Sequence, residues 1–138
     1  MAARNGKRSF SFRLDQHSGV PVYRQLIDQV MGAKAAGTLA AGDQLPTVRQ
    51  VAVDLAINPN TVARAWREME IRGVLETQQG LGTFISGQKI ERREVERRRL
   101  LEQITTDFVA RGGAAGFTIE DLMEQLQERL KDAGKSKK

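Results

Sequence analysis

A chain of 138 residues, 40% apolar and 28% charged, can build one modest core with an appendage, and it is too apolar for wholesale disorder. Its 22 basic and 17 acidic residues give a net charge of +5, which points to a polyanionic partner. The absence of cysteine and the single histidine, His17, exclude disulfides, thiolate metal sites and a His-rich zinc site. No apolar run approaches the roughly 18 residues of a membrane span. The basic N-terminus lacks the apolar region of a secretory signal, so the expected location is the cytoplasm, with no membrane partner.

Residues 1–9 are small, polar and basic, and are expected to be flexible. Phe10, Phe12 and Leu14 alternate with Ser11 and Arg13, a short-strand pattern. After the turn Ser18-Gly19-Val20-Pro21, the positions Tyr23, Leu26, Ile27, Val30 and Met31 predict a first helix over 21–36, closed by Gly37. Thr47 and Gln50 form a capping-box signature for a second helix over 47–55, with Val48, Val51, Ala52 and Leu55 on its inner face. Asn58 as N-cap and Pro59 at the first helical position open a third helix over 59–72. Its apolar face is Val62, Ala65, Trp66 and Met69; Gly73 stops it, with Val74 folding back on Met69. Val74–Thr77 and Thr83–Ile85 then read as a hairpin with a Gly-rich tip over 78–82.

The composition changes again after Gly87. A densely charged run over 89–99 leads into Leu100, Leu101, Ile104 and Phe108, which predict a fourth helix over 90–111. Residues 112–116 read as a flexible Gly/Ala break. Thr118 and Asp121 resemble a capping box, with Phe117 placed to staple onto Leu122. The stripe Ile119, Leu122, Met123, Leu126 and Leu130 predicts a fifth helix, fraying after Asp132. The expected organisation is a winged domain over 10–87, a two-helix tail over 88–133 and a disordered basic end over 134–138. The fold class is mainly α with a small β-hairpin: a winged helix-turn-helix followed by a two-helix dimerisation region.

Three short helices and a hairpin, in that order, put the third helix where a helix-turn-helix reads the major groove. Its opening residues Asn58, Asn60, Thr61 and Arg64 carry the chemistry for base edges: Asn matches adenine, and Arg forks onto guanine. Thr47 and Arg49 open the second helix and suit phosphate. Gln79, Gly80 and Gly82 stand at the hairpin tip, where glycine permits close approach to DNA, and Thr83, which opens the second strand, is a candidate contact beside them. Structural roles compete with each assignment. Asn58 is a cap before it is a base reader, and Arg49 can pair with Asp43 as well as with phosphate. Gly80 and Gly82 suit an ordinary tight turn, Trp66 belongs to the core, and the 89–99 run is first a solvated helix face. Leu101, Ile104, Phe108, Leu122, Leu126 and Leu130 exceed what one helical hairpin hides, so they are expected to pack between subunits.

The runs Gly19-Val20-Pro21-Val22-Tyr23-Arg24-Gln25-Leu26 and Gly42-Asp43-Gln44-Leu45-Pro46-Thr47-Val48-Arg49 resemble the DNA-binding domain of the GntR family of bacterial transcription regulators. So do Asn58-Pro59-Asn60-Thr61-Val62-Ala63-Arg64-Ala65 and Gly80-Leu81-Gly82-Thr83-Phe84-Ile85. The short two-helix tail resembles the YtrA branch, and the chain has no room for the larger effector domains of other branches. The resemblance implies a homodimer on a two-fold symmetric double-stranded operator, with the third helix in the major groove and the wing at the minor groove. By the same pattern, Arg49, Asn60, Thr61, Arg64, Gly80 and Gly82 contact DNA; Ala63 stands where some branches carry a further Arg. Repression is the expected activity. No cofactor is implied; whether a small-molecule effector binds is open, the tail being too short for an obvious pocket, though a dimer interface could hold one. A non-specific architectural DNA-binding protein and a protein-binding winged helix are the alternatives. An enzyme is not expected: His17 is unpaired, and no Lys-Ser/Thr follows the 80–82 glycines to make a phosphate loop.

Overall fold

The computed structural model describes residues 10–88 and 91–136. The basic segment expected over 1–9, the start of the charged run at 89–90 and the last two residues lie outside the described residues. Among the described residues, five helices and one two-stranded sheet follow in the order α1 (Val22–Ala36), α2 (Val48–Leu55), α3 (Pro59–Ile71), β1 (Leu75–Gln78), β2 (Gly82–Ile85), α4 (Glu94–Ala114) and α5 (Ile119–Ser136). The chain divides into two compact units at Gln88/Lys89. Among the described residues no helix is long and apolar enough to cross a membrane.

In the first unit, α1 and α2 both pack on α3. The core joins Leu26, Ile27 and Val30 of α1 to Val62, Ala65, Trp66 and Met69 of α3, with Leu75 and Ile85 closing it from the hairpin. The strand expected at residues 10–14 does not form: the segment has no strand partner. Its backbone is satisfied by glutamine side chains of α1 instead. Arg13 N–H donates to Gln29 Oε1 (2.9 Å) while Gln29 Nε2 donates back to the Arg13 carbonyl (2.6 Å). Gln25 brackets Asp15 in the same way, at 2.8 and 3.0 Å. The alternation still served burial, because Phe12 is buried with its ring 5.6 Å from that of Trp66.

The capping signals act as expected. Thr47 Oγ1 accepts the Gln50 N–H and Gln50 Oε1 accepts the Thr47 N–H, so both halves of the box close. With only eight residues, α2 relies on this box and on tertiary contacts. Thr47→Ala is expected to cost about 1 kcal/mol of stability. Emission from Trp66, the one tryptophan in the chain and buried, reads that loss in a denaturant titration. Asn58 Oδ1 caps α3 by accepting the Asn60 N–H (2.8 Å). At the other end Gly73 N–H reaches the Glu70 carbonyl and Val74 N–H the Met69 carbonyl, a Schellman stop.

The hairpin forms as expected, running from Leu75 opposite Ile85 to Gln78 opposite Gly82, so the ladder extends one pair further toward the tip and leaves out Val74. The segment ahead of α2 lies along its free edge. Leu45 N–H donates to the Thr83 carbonyl (2.9 Å) and Ile85 N–H to the Asp43 carbonyl (2.8 Å).

The second unit is an α4–α5 hairpin. The flexible break expected over 112–116 is mostly helix: α4 continues through Gly112 and Gly113 to Ala114, and Ala115-Gly116 alone make the corner. Packing explains the difference. A Cβ on Gly112 would stand 2.7 Å from Leu122 Cδ1, so this glycine lets α5 approach α4 closely. Gly116, at φ +93°, supplies the reversal. Thr118 and Asp121 exchange both capping bonds, at 2.9 and 3.1 Å. α5 then runs on to Ser136, beyond the fraying expected after Asp132.

Candidate nucleic-acid interface

α3 has two faces of opposite character. Val62, Ala65, Trp66 and Met69 are buried, while Asn60, Arg64 and Arg67 are exposed and recur at helical spacing on the opposite side. Thr61 sits at the boundary and is half-buried. The Pro59 start leaves the first turn of α3 clear of side-chain caps other than Asn58. A wall of polar side chains is thereby backed by a rigid apolar core, the arrangement that major-groove reading requires.

Arg64 is held by a neighbour. Its Cζ stands 3.8 Å from the centroid of the Tyr23 ring, which α1 contributes. Neither Arg64 nor Arg67 forms an ion pair among the described residues; the arginine at the far end of α3, Arg72, pairs with Glu68 at 2.7 Å. Arg49, second residue of α2, is exposed. Asp43, its possible partner by sequence, accepts the Ala40 N–H at 2.8 Å.

The wing tip carries Gln79 and Gly80, both exposed, with Gly82 and Thr83 half-buried behind them. The two glycines have φ of +82° and +128°, so the turn itself demands them. Their presence is accounted for before any DNA is considered. Two side chains that sequence reasoning passed over fix where this tip stands. Gln44 Nε2 donates to the Leu81 carbonyl (3.0 Å) and packs against Gly82, where an added Cβ would meet it at 2.5 Å. Glu70 of α3 accepts the Thr77 hydroxyl of β1, and Thr77 Oγ1 lies 3.5 Å from Thr83 Oγ1 across the ladder. The wing is thus tied at its tip to the segment ahead of α2 and at its side to α3. The signal for Gln44 was present in the Gly42–Arg49 run, but a loop glutamine has no pattern that names its partner. Tyr23 was read as an apolar helix position and as part of the Gly19–Leu26 run, neither of which names Arg64 as its partner.

In the tail, Leu101, Ile104 and Phe108 of α4 and Leu126 and Leu130 of α5 remain 41–65% exposed. Leu122 is half-buried over Gly112, within the hairpin. Val95, Phe117, Ile119 and Met123 add to the exposed apolar surface.

The family model for bacterial regulatory proteins of the gntR family matches residues 21–85. The chain is 36% identical over 110 residues to the uncharacterized HTH-type transcriptional regulator YhcF of Bacillus subtilis, covering 80% of this chain and 90% of that one. It is 32% identical over 126 residues to the HTH-type transcriptional repressor YtrA of the same organism, covering 91% and 97%. Among solved structures, YtrA from Sulfolobus acidocaldarius, a GntR-family transcription factor, matches with a TM-score of 0.55 at 27% identity, covering 73% of this chain and 99% of that one. Both sequence alignments are longer than the 88-residue first unit, so the likeness extends into the tail. These relatives are regulators of transcription, not enzymes. The chain belongs to the gntR family of bacterial regulatory proteins and is a winged-helix, DNA-binding regulator of transcription.

Proposed function

We propose that the protein is a dimeric, sequence-specific repressor acting in the cytoplasm on a two-fold symmetric operator. The observation that carries this reading is the polar face of α3. Asn60 and Arg64 offer base-reading chemistry from a helix whose other face is locked into the core. Asn58 and Thr61 flank that face, and Arg49 with the Thr47-capped start of α2 suits phosphate. In this reading the wing tip, with Gln79, Gly80, Gly82 and Thr83, meets the minor groove; the exposure of Gln79 and Gly80 supports it. The repressor role rests on the likeness to YtrA of Bacillus subtilis. Dimerisation rests on the tail: a soluble chain rarely leaves so many large apolar side chains in one hairpin uncovered, and a second copy offers the same face. The interface between two tails is where a small-molecule effector would sit.

The test is retention of fragments from the source genome by the purified protein at about 150 mM salt, where specific and non-specific binding separate. A small set of fragments, lying ahead of genes, is expected. Even retention of all fragments would favour an architectural role instead, which the modest +5 charge argues against. Arg49→Ala is expected to weaken binding evenly across sequences and to lower the salt slope by about one. A loss confined to one sequence would mean that Arg49 reads a base.

A further inference from the structure

We propose that Tyr23 is a positioning residue for base reading, acting through Arg64; this rests on the operator-binding function above. An exposed arginine loses much rotamer freedom when it docks on a base edge. Here the Arg64 guanidinium already lies over the Tyr23 ring, 3.8 Å from Cζ to centroid. Stacking uses the face of the guanidinium and leaves its N–H fork, which lies along the edge, for a partner. Tyr23 is half-buried on α1, and α1 packs on α3, so the ring is a fixed platform rather than a second mobile side chain. Without ion-pair competition within the described residues, Arg64 is held beside the Asn60 face by this contact. An aromatic on α1, outside the helix that carries the base-reading side chains, thereby sets which base edge Arg64 meets.

The contact is testable before any DNA is added. Tyr23 is the only tyrosine of the chain, so protein labelled with 3-fluorotyrosine gives one fluorine resonance. Arg64→Ala is expected to move it and Arg67→Ala to leave it in place; a resonance indifferent to Arg64→Ala would overturn the proposal. On the selected operator, Tyr23→Leu is expected to weaken binding about two- to fivefold and to relax preference at the one base position that Arg64 reads. Tyr23→Phe keeps the ring and should retain both. In an Arg64→Ala background, Tyr23→Leu should cost nothing more. Equal losses from Leu and Phe would mean that the hydroxyl acts directly, and a loss spread evenly over all sequences would mean a merely structural ring. Either result overturns the assignment, as does full additivity of the two substitutions. A wild-type control without sequence preference would remove the operator reading itself. The fluorine experiment does not depend on any Tyr23 variant folding.

Discussion

Arg64→Ala is expected to weaken operator binding by roughly 1–3 kcal/mol and to erase discrimination at one base position in each half-site. The side chain is exposed on the outer face of α3, one turn after Asn60, and its backbone is anchored by the buried Ala65 and Trp66. Truncation removes a forked donor without disturbing the core, so the folded state should be unaffected. Affinities for the operator and for single-base variants of it, compared between wild type and Arg64→Ala, read the effect. If every sequence loses the same amount, Arg64 touches only phosphate and the base-reading role passes to Asn60 and Thr61.

The second large effect belongs to the tail. Leu126 and Leu130 lie one turn apart on α5 and are 48% and 65% exposed. Placing a carboxylate at both, as Leu126→Glu with Leu130→Glu, leaves charge on an exposed face in the monomer but buries it in a paired tail. The expected result is a monomer in sedimentation with its helix content intact. Binding to a symmetric operator should fall roughly 10²- to 10⁴-fold, because the second half-site is no longer reached at high effective concentration. Binding to an isolated half-site should change little. A double variant that still sediments as a dimer would place the interface elsewhere.

Most of the first unit was legible in the sequence because its signals are local. The Thr47/Gln50 box, the Asn58-Pro59 start and the Gly73 stop each satisfy their own backbone groups within a few residues, and all three stand in the structure. What failed depended on distant partners. Residues 10–14 alternate like a strand, but their backbone groups are met by Gln25 and Gln29, and no periodicity announces that. Gly112 reads as part of a break until Leu122 is seen to need the space over it. The polar set on α3 was legible for the same reason as the helix itself: its apolar stripe fixes which residues face away. The settings of that set were not, since Tyr23 on Arg64, Gln44 on the wing tip and Glu70 on Thr77 are all contacts between elements.

The central claim is that two copies of this chain read a symmetric sequence through α3 and the wing. Selection of bound sequences from a random duplex pool, by the purified full chain at about 150 mM salt, tests it most directly. The account predicts a two-fold symmetric motif, its half-sites about one helical turn apart or at a fixed offset from that spacing. A pool that stays random while binding strongly and with steep salt dependence would contradict it.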